Sequence, residues 1–186
     1  EVLRAIMADC HKVLMAERDK RIRPGLDDKT LTSWNGLMLK GYVDAYLTFG
    51  EQHFLDVAKE NAKFIVKKQL RMDGGLNHSY KKGHSTINAY LEDYAFIVDA
   101  FLKLYEATFD VKWLKEADAL MTYSIEHFYD DESGMFFFTS DEDPALIVRK
   151  MEVNDNVIPA SNSVMANNLF VLSHHYGREY YKDKAE

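Results

Sequence analysis

Apolar positions along this chain fall into two kinds of helical run. Residues 34–49, 93–109 and 162–176 are apolar around most of the helical circumference, whereas 51–70 and 111–129 are apolar on one face only. A helix apolar all round is enclosed by other elements, and a one-sided helix lies outside with its polar face in water. Each all-round run leads into a one-sided run, or into the start of one, with Gly50, Asp110 or Gly177 at the junction. The pattern predicts stacked antiparallel helical hairpins, an inner layer wrapped by an outer one. Ahead of them Leu3, Ile6, Met7, Cys10, Val13 and Leu14 keep helical spacing, which predicts an amphipathic helix over residues 2–19. The stretch Ile22-Arg-Pro-Gly-Leu26 ends it. Ser33 is placed to cap the first inner helix, with Thr30 and Thr32 as competitors.

The junctions repeat roughly sixty residues apart, longer than ordinary helical-repeat units. The extra length lies in the segments returning from an outer to an inner helix. Two of these carry strand-like pieces. One is residues 75–80 before Gly83, and the other is 135–139 paired with 146–149 across a turn near Asp143-Pro144. The expected fold is all-α, with helical hairpins as arcs of a ring and short β-hairpins at one end. A single helical domain over residues 1–186, forming part of a larger ring, is the expected organisation. Part of a ring leaves apolar flanks, here around Tyr42 and Tyr46 and around Met165, Leu169 and Phe170. Association of copies to cover them is the corresponding expectation.

The 186 residues are 47% hydrophobic and 28% charged, an ordinary globular balance. The net charge of −7 argues against nucleic acid or an anionic membrane as partner. The one basic cluster (Arg18, Lys20, Arg21, Arg23) falls where the first helix ends, a favourable place for positive charge on dipole grounds alone. The single cysteine, Cys10, excludes an internal disulfide and suits a reducing cytoplasm. No apolar run is long enough to span a membrane, and no signal-peptide pattern is present.

Because each inner helix follows a return segment, the three inner N-termini should share one end of the ring. The polar residues there are Asp27, Asp28, Trp34 and Asn35 before the first, Glu92, Asp93 and Tyr94 at the second, and Asn162 at the third. Carboxylates and amides at one mouth suit the hydroxyls of a small neutral ligand such as a sugar, with Trp34, Tyr80 or Tyr94 stacking on its ring. Glu92, Asp93 and His78 are the candidate acid/base groups, since paired carboxylates whose environments separate their pKa values can divide the two roles. The competing account is purely structural: Asp, Asn and Ser cap helices, and aromatics fill cores. Adjacent acids at a helix start cannot both face the ring axis, so one of Glu92 and Asp93 is expected to cap and the other to serve the site. Metal-ligand runs, Gly-rich phosphate loops and nucleophile elbows are absent from the sequence, so no metal or cofactor is expected.

Three segments carry a resemblance: Arg-Pro-Gly-Leu-Asp-Asp-Lys-Thr-Leu-Thr-Ser-Trp-Asn-Gly-Leu-Met (23–38), Leu-Glu-Asp-Tyr-Ala-Phe (91–96) and Pro-Ala-Ser-Asn-Ser (159–163). Their order and spacing resemble the helical part of the thioredoxin-domain-containing proteins of the spermatogenesis-associated protein 20 type and their bacterial relatives. In that family a thioredoxin-like domain precedes an (α/α)6 toroid similar to N-acylglucosamine 2-epimerases and six-hairpin glycosidases. The resemblance implies a carbohydrate-type site, with an epimerase, isomerase or glycosidase-like activity. The alternative is a non-catalytic binding or scaffold role beside the thioredoxin-like domain, which this chain lacks. It departs from the family pattern at Glu92, where Asp is usual, and at Ala160-Ser161, where Ser-Gly is frequent.

Overall fold

The computed structural model describes residues 1–144 and 147–186. The helices are α1 (Val2–Arg18), α2 (Thr32–Phe49), α3 (Gln52–Lys68), α4 (Leu91–Thr108), α5 (Val111–Phe128), α6 (Ser161–Tyr176) and α7 (Glu179–Ala185). Between them lie the strands β1 (Thr30–Leu31), β2 (Asn77–Lys81), β3 (His84–Asn88), β4 (Tyr129–Asp130) and β5 (Met135–Phe136). The mainly helical fold with small antiparallel hairpins agrees with the expectation.

The inner layer is α2, α4 and α6, with α4 in the middle and packed on both others. It buries Leu91, Tyr94, Ala95, Phe96, Ile97, Val98, Ala100, Phe101, Leu102 and Leu104 around its whole circumference. The outer helices α3 and α5 bury one face each, Leu55, Ala58, Ala62 and Ile65 on α3, and Trp113, Leu114, Ala117, Leu120 and Met121 on α5. The approach of α2 to α4 depends on Gly36, where an added Cβ would lie 2.8 Å from the Phe96 carbonyl carbon and 2.9 Å from its oxygen. Two of the three hairpin junctions end the inner helix on a left-handed glycine, Gly50 at φ 71° and Gly177 at φ 62°. The third uses Phe109 at φ 55°, one residue before the expected Asp110, whose carboxylate instead caps α5 by accepting from the Lys112 amide at 3.0 Å.

Several local expectations are corrected. The first return segment does form a hairpin, β2 with β3, but Thr30 and Leu31 add a third strand antiparallel to β2. In the second, Met135–Phe136 pairs upstream with Tyr129–Asp130, not with 147–149. Gly134 at φ 71° supplies that tight turn, and Tyr129 meets Phe136 edge-on. Residues 147–149 carry no strand, and Leu146 lies outside the described residues. The flanks also differ: Met165 and Leu169 are wholly buried, and Tyr42 and Tyr46 are half-buried against the core, whereas Trp34 and Met38 stand exposed with Phe170. Among the described residues no helix is long and apolar enough to cross a membrane.

The contact at Gly36 makes a paired prediction. Gly36→Ala should lower stability by about 1–3 kcal/mol, because backbone atoms of Phe96 must move. Gly41→Ala on the same helix, where a Cβ meets nothing within 4 Å, should raise it by about 0.5–1 kcal/mol through helix propensity. Urea-unfolding midpoints of the two variants check both signs.

Candidate functional site

The inner helices begin inside the molecule, so their first amides need acceptors that water does not supply. Helix α2 starts at Thr32 with no cap from its own side chains, contrary to the expected role of Ser33. Its Ser33 amide is instead met at 2.8 Å by Oδ1 of Asp93, sixty residues away on α4. The other oxygen of Asp93 accepts the Tyr90 amide at the start of α4, at 2.9 Å. That same oxygen lies 2.9 Å from Nδ1 of His78 on β2. One wholly buried carboxylate therefore holds together the starts of two inner helices and the hairpin between them. At α6 the same task falls to Glu152, which accepts from the Ser161 hydroxyl at 3.0 Å, and to Asp155, which accepts from the Ala160 amide at 2.8 Å. Bonds between return segments hold these ends together: the Leu91 amide donates to the Phe138 carbonyl at 2.9 Å, and Asn162 clamps Phe136.

Glu92, adjacent to Asp93, is treated differently. It is half-buried and receives one contact, from the Ser33 hydroxyl at 3.3 Å. Burial pushes its carboxyl above the usual range, and the charges of Asp93 and Glu152 add to that, against the Ser33 bond. Burial likewise drives the Asp93 carboxyl up, opposed by His78 and the two amides. The Asp93 bond raises the His78 imidazole, outweighing its partial burial. The pair exchanges protons as a unit. In the neutral ring that donates from Nδ1, Nε2 is the nitrogen left for other chemistry. Tyr90 closes over this histidine at 5.0 Å and is itself stacked on Phe138.

Ligand atoms of His78, Glu92 and Asp93 lie within 4.8 Å of one another, a spacing that also suits a cation. The bonding fits it poorly. Both Asp93 oxygens and His78 Nδ1 already have partners, which leaves Glu92 and Nε2 as free donors, too few for the four-ligand site zinc prefers. The set is better matched to moving a proton.

The other candidates make contacts of their own. Tyr94 is wholly buried, stacked on Tyr123 at 5.4 Å, with its hydroxyl accepting from the Leu76 amide; no ring face is open to a ligand. Asn35 turns outward, donating to the Leu31 carbonyl at 2.7 Å and accepting from Asn61 at 3.2 Å. The Asn162 amide is committed to the backbone of Phe136 and of Glu152. Asp27 pairs with Lys29, and Asp28 with Lys81. Tyr80 sits edge-on to Phe64 of α3, at 5.2 Å. Trp34 is 64% exposed on a flank of α2. Glu152, which couples to Glu92 and lines a hollow of about 240 Å³ with its neighbours 150–156, was missed. It lies just ahead of the polar run 154–163, and an isolated glutamate in a loop carries no pattern of its own.

No protein-family model matches the chain. Human spermatogenesis-associated protein 20 is 31% identical over 194 residues, spanning 99% of this chain and 25% of that protein. An uncharacterized protein of Caenorhabditis elegans is 33% identical over 184 residues, spanning 95% of this chain and 25% of its own length. The chain's homologues are spermatogenesis-associated protein 20-type proteins. It spans about a quarter of the length of these curated relatives. Among solved structures, a GH76 α-mannanase of Bacteroides thetaiotaomicron has a TM-score of 0.69 at 17% identity, over 89% of this chain and 43% of that one. Cellobiose 2-epimerase of Bacillus thermoamylovorans has a TM-score of 0.69 at 16% identity, over 84% and 42%. An α-1,6-mannanase of Salegentibacter has a TM-score of 0.66 at 17% identity, over 83% and 44%. That mannanase was solved with α-1,6-mannotriose as an inactive variant carrying asparagine at two consecutive aspartates. The likeness is one of fold: the α/α toroid of sugar epimerases and glycosidases.

The buried cluster makes stability depend on pH. His78, Asp93 and Glu92 all have raised values in the fold, so the folded chain binds protons more tightly than the unfolded one. Stability from His78 is complete below the unfolded histidine value of about 6.5 and is lost as pH rises through the higher folded value. Urea midpoints measured across this range should therefore fall with rising pH, and His78→Gln should flatten the slope. Asp93→Asn, which leaves buried N–H donors facing an amide, should cost at least about 2 kcal/mol at any of these pH values.

Proposed function

We propose that the N-terminal end of the inner layer carries a carbohydrate-type site in which Glu92 transfers the proton. In this reading His78, through Nε2, is the second acid/base group, and Asp93 is the buried residue that positions both. The observation that carries it is the division of labour within one consecutive acidic pair. Asp93 is fully buried and committed to three N–H groups, whereas Glu92, raised like its neighbour, is only half-buried and lightly bonded. A carboxyl held near its proton beside one that is locked in place is how a site obtains a general acid without a metal.

The fold supports a sugar as the ligand class, since the structural neighbours are sugar epimerases and glycosidases. The inactive mannanase variant altered at two consecutive aspartates gives the pair Glu92-Asp93 a counterpart in kind. An epimerase would set Glu92 and His78 on opposite faces of one sugar carbon. A glycosidase would pair Glu92 with a second carboxyl, for which Glu152 is the candidate, and their separation with substrate bound would decide between retention and inversion. A neutral sugar meets no electrostatic barrier from a chain of net charge −7. The lone exposed thiol of Cys10 suits work in a reducing compartment such as the cytoplasm.

Two assays on the complete polypeptide test this. One follows solvent deuterium entering mannose, glucose and N-acetylglucosamine by NMR, and the other follows release of mannose from α-1,6-linked mannosides. Glu92→Gln should reduce whichever reaction is found by about 10²–10⁴-fold without lowering the unfolding midpoint, since the carboxyl it removes is raised in the fold. Full turnover in that variant would remove Glu92 from the chemistry. Sugar binding without any reaction would make the site a recognition module instead.

A further inference from the structure

The hairpin that carries His78 holds one residue in a backbone conformation that its side chain opposes. Register pairs Asn77 with Asn88 and Ser79 with Thr86, which sets Ile87 of β3 directly across from His78 of β2. Ile87 has φ 65°, in the left-handed region. For a β-branched residue, whose Cβ crowds the following carbonyl there, this is a costly conformation. Glycine adopts it readily. Lys82 and Gly83, also at positive φ, form the two-residue hairpin turn, which requires it. Ile87 stands within the strand, where no turn requires it.

The neighbours on both sides impose it. Just ahead of Ile87, the Ser79 hydroxyl donates to the Thr86 carbonyl at 3.2 Å. Just after it, the Asn88 side chain is fixed from both ends, its oxygen accepting from Arg71 at 2.7 Å and its nitrogen donating to Asp143 at 3.1 Å. The Ala89 amide then donates to the Leu76 carbonyl at 3.1 Å. A strained residue persists only where its surroundings over-determine it, and such residues gather at sites of function. What accompanies the strain here is an apolar side chain in the open. Ile87 is 55% exposed, whereas regular alternation would put it on the same side of the hairpin as the half-buried His78 and Tyr80.

We propose that Ile87 is a specificity-determining residue of the Glu92–His78 site, an apolar rim against which the C–H face of a sugar ring rests. The inference rests on the carbohydrate reading of that site and supplies what the site otherwise lacks. A sugar ring offers apolar C–H faces as well as hydroxyls, and the aromatic side chains expected to meet them are engaged elsewhere. Tyr94 is stacked on Tyr123, Tyr80 packs on Phe64, and Trp34 stands on the flank of α2. His78 has Tyr90 over its ring at 5.0 Å and Ile87 across the hairpin. A branched aliphatic group makes no hydrogen bond. It therefore favours a ring face bearing only C–H groups and rejects one that would bury a hydroxyl or a charge against it.

The test measures binding of mannose, glucose, N-acetylglucosamine and an α-1,6-linked mannoside to the complete polypeptide by titration calorimetry, alongside urea midpoints. Ile87→Gly should raise the midpoint by relieving the left-handed residue. It should also weaken whichever sugar binds by about tenfold or more, with the loss appearing in KM and not in kcat where there is turnover. Ile87→Val keeps a branched apolar group and should recover binding to within about threefold. The control is Lys82→Gly at the hairpin turn, at φ 49°, which relieves a left-handed residue without touching the rim. It should raise the midpoint with sugar binding unchanged. Full-strength binding by Ile87→Gly overturns the rim while leaving the Glu92 site standing, and a lowered midpoint in that variant overturns the strain argument. Equal weakening by Lys82→Gly also overturns the proposal, because hairpin stiffness would then account for the effect. Binding of none of the four sugars by the unaltered polypeptide removes the carbohydrate reading itself, and the rim with it.

Discussion

A buried carboxylate at the meeting point of two helix starts is the contact on which the rest of this structure depends. Helix N-termini present amides that must be paired, and here those of the inner layer lie beneath the return segments. Asp93 supplies acceptors to α2, to its own helix and to the imidazole of His78, so that the register of one hairpin against the next is set by a single side chain. Glu152 and Asp155 do the same for α6. Helix α2 is thus capped by a residue of α4, α4 by that same residue of its own, and α6 by the return segment ahead of it.

That constraint also concentrates acidic groups at one end. The partial positive charge of the helix starts favours carboxylates there, and packing then sorts them by environment. Asp93 is sealed in, and Glu92, one residue earlier, keeps a side open. A second polar cluster shows the contrast. Arg71 binds Glu142, Tyr123 and Asn88 at 2.7–2.8 Å, and the Tyr123 hydroxyl donates to Glu142 at 2.7 Å. With its donors and acceptors facing one another, that cluster fastens the two return segments to α5 and has little left to offer a ligand. The Glu92–His78 pair retains a carboxyl oxygen and a ring nitrogen without partners among the described residues.

The helical pattern was legible in the residues themselves because burial on a helix follows a period of 3.6, and a side chain's hydrophobicity reports how many of its neighbours are protein. The inner runs and the one-sided outer runs could be read off directly, as could the β2–β3 hairpin. The signature segments 23–38, 91–96 and 159–163 carried the family likeness. That one acid of Glu92-Asp93 must cap followed from helix geometry alone.

Which acid caps, and what it caps, only the tertiary structure decided. Asp93 reaches a backbone amide of α2, and no local rule links a helix start to a carboxylate sixty residues on. The same holds for Tyr94, whose place beside Trp34 and Tyr80 among ring-stacking candidates dissolved once α5 set Tyr123 against it, and for Asn35 and Asn162, whose amides were claimed by neighbouring segments. The partner of strand β5 depended on a turn at Gly134 rather than on hydrophobic alternation. Periodicity describes how a residue sits relative to its own helix or strand. Capping, stacking and the bonding that distinguishes two adjacent carboxyls depend on which distant group arrives within about 3 Å, and that is a property of the assembled fold.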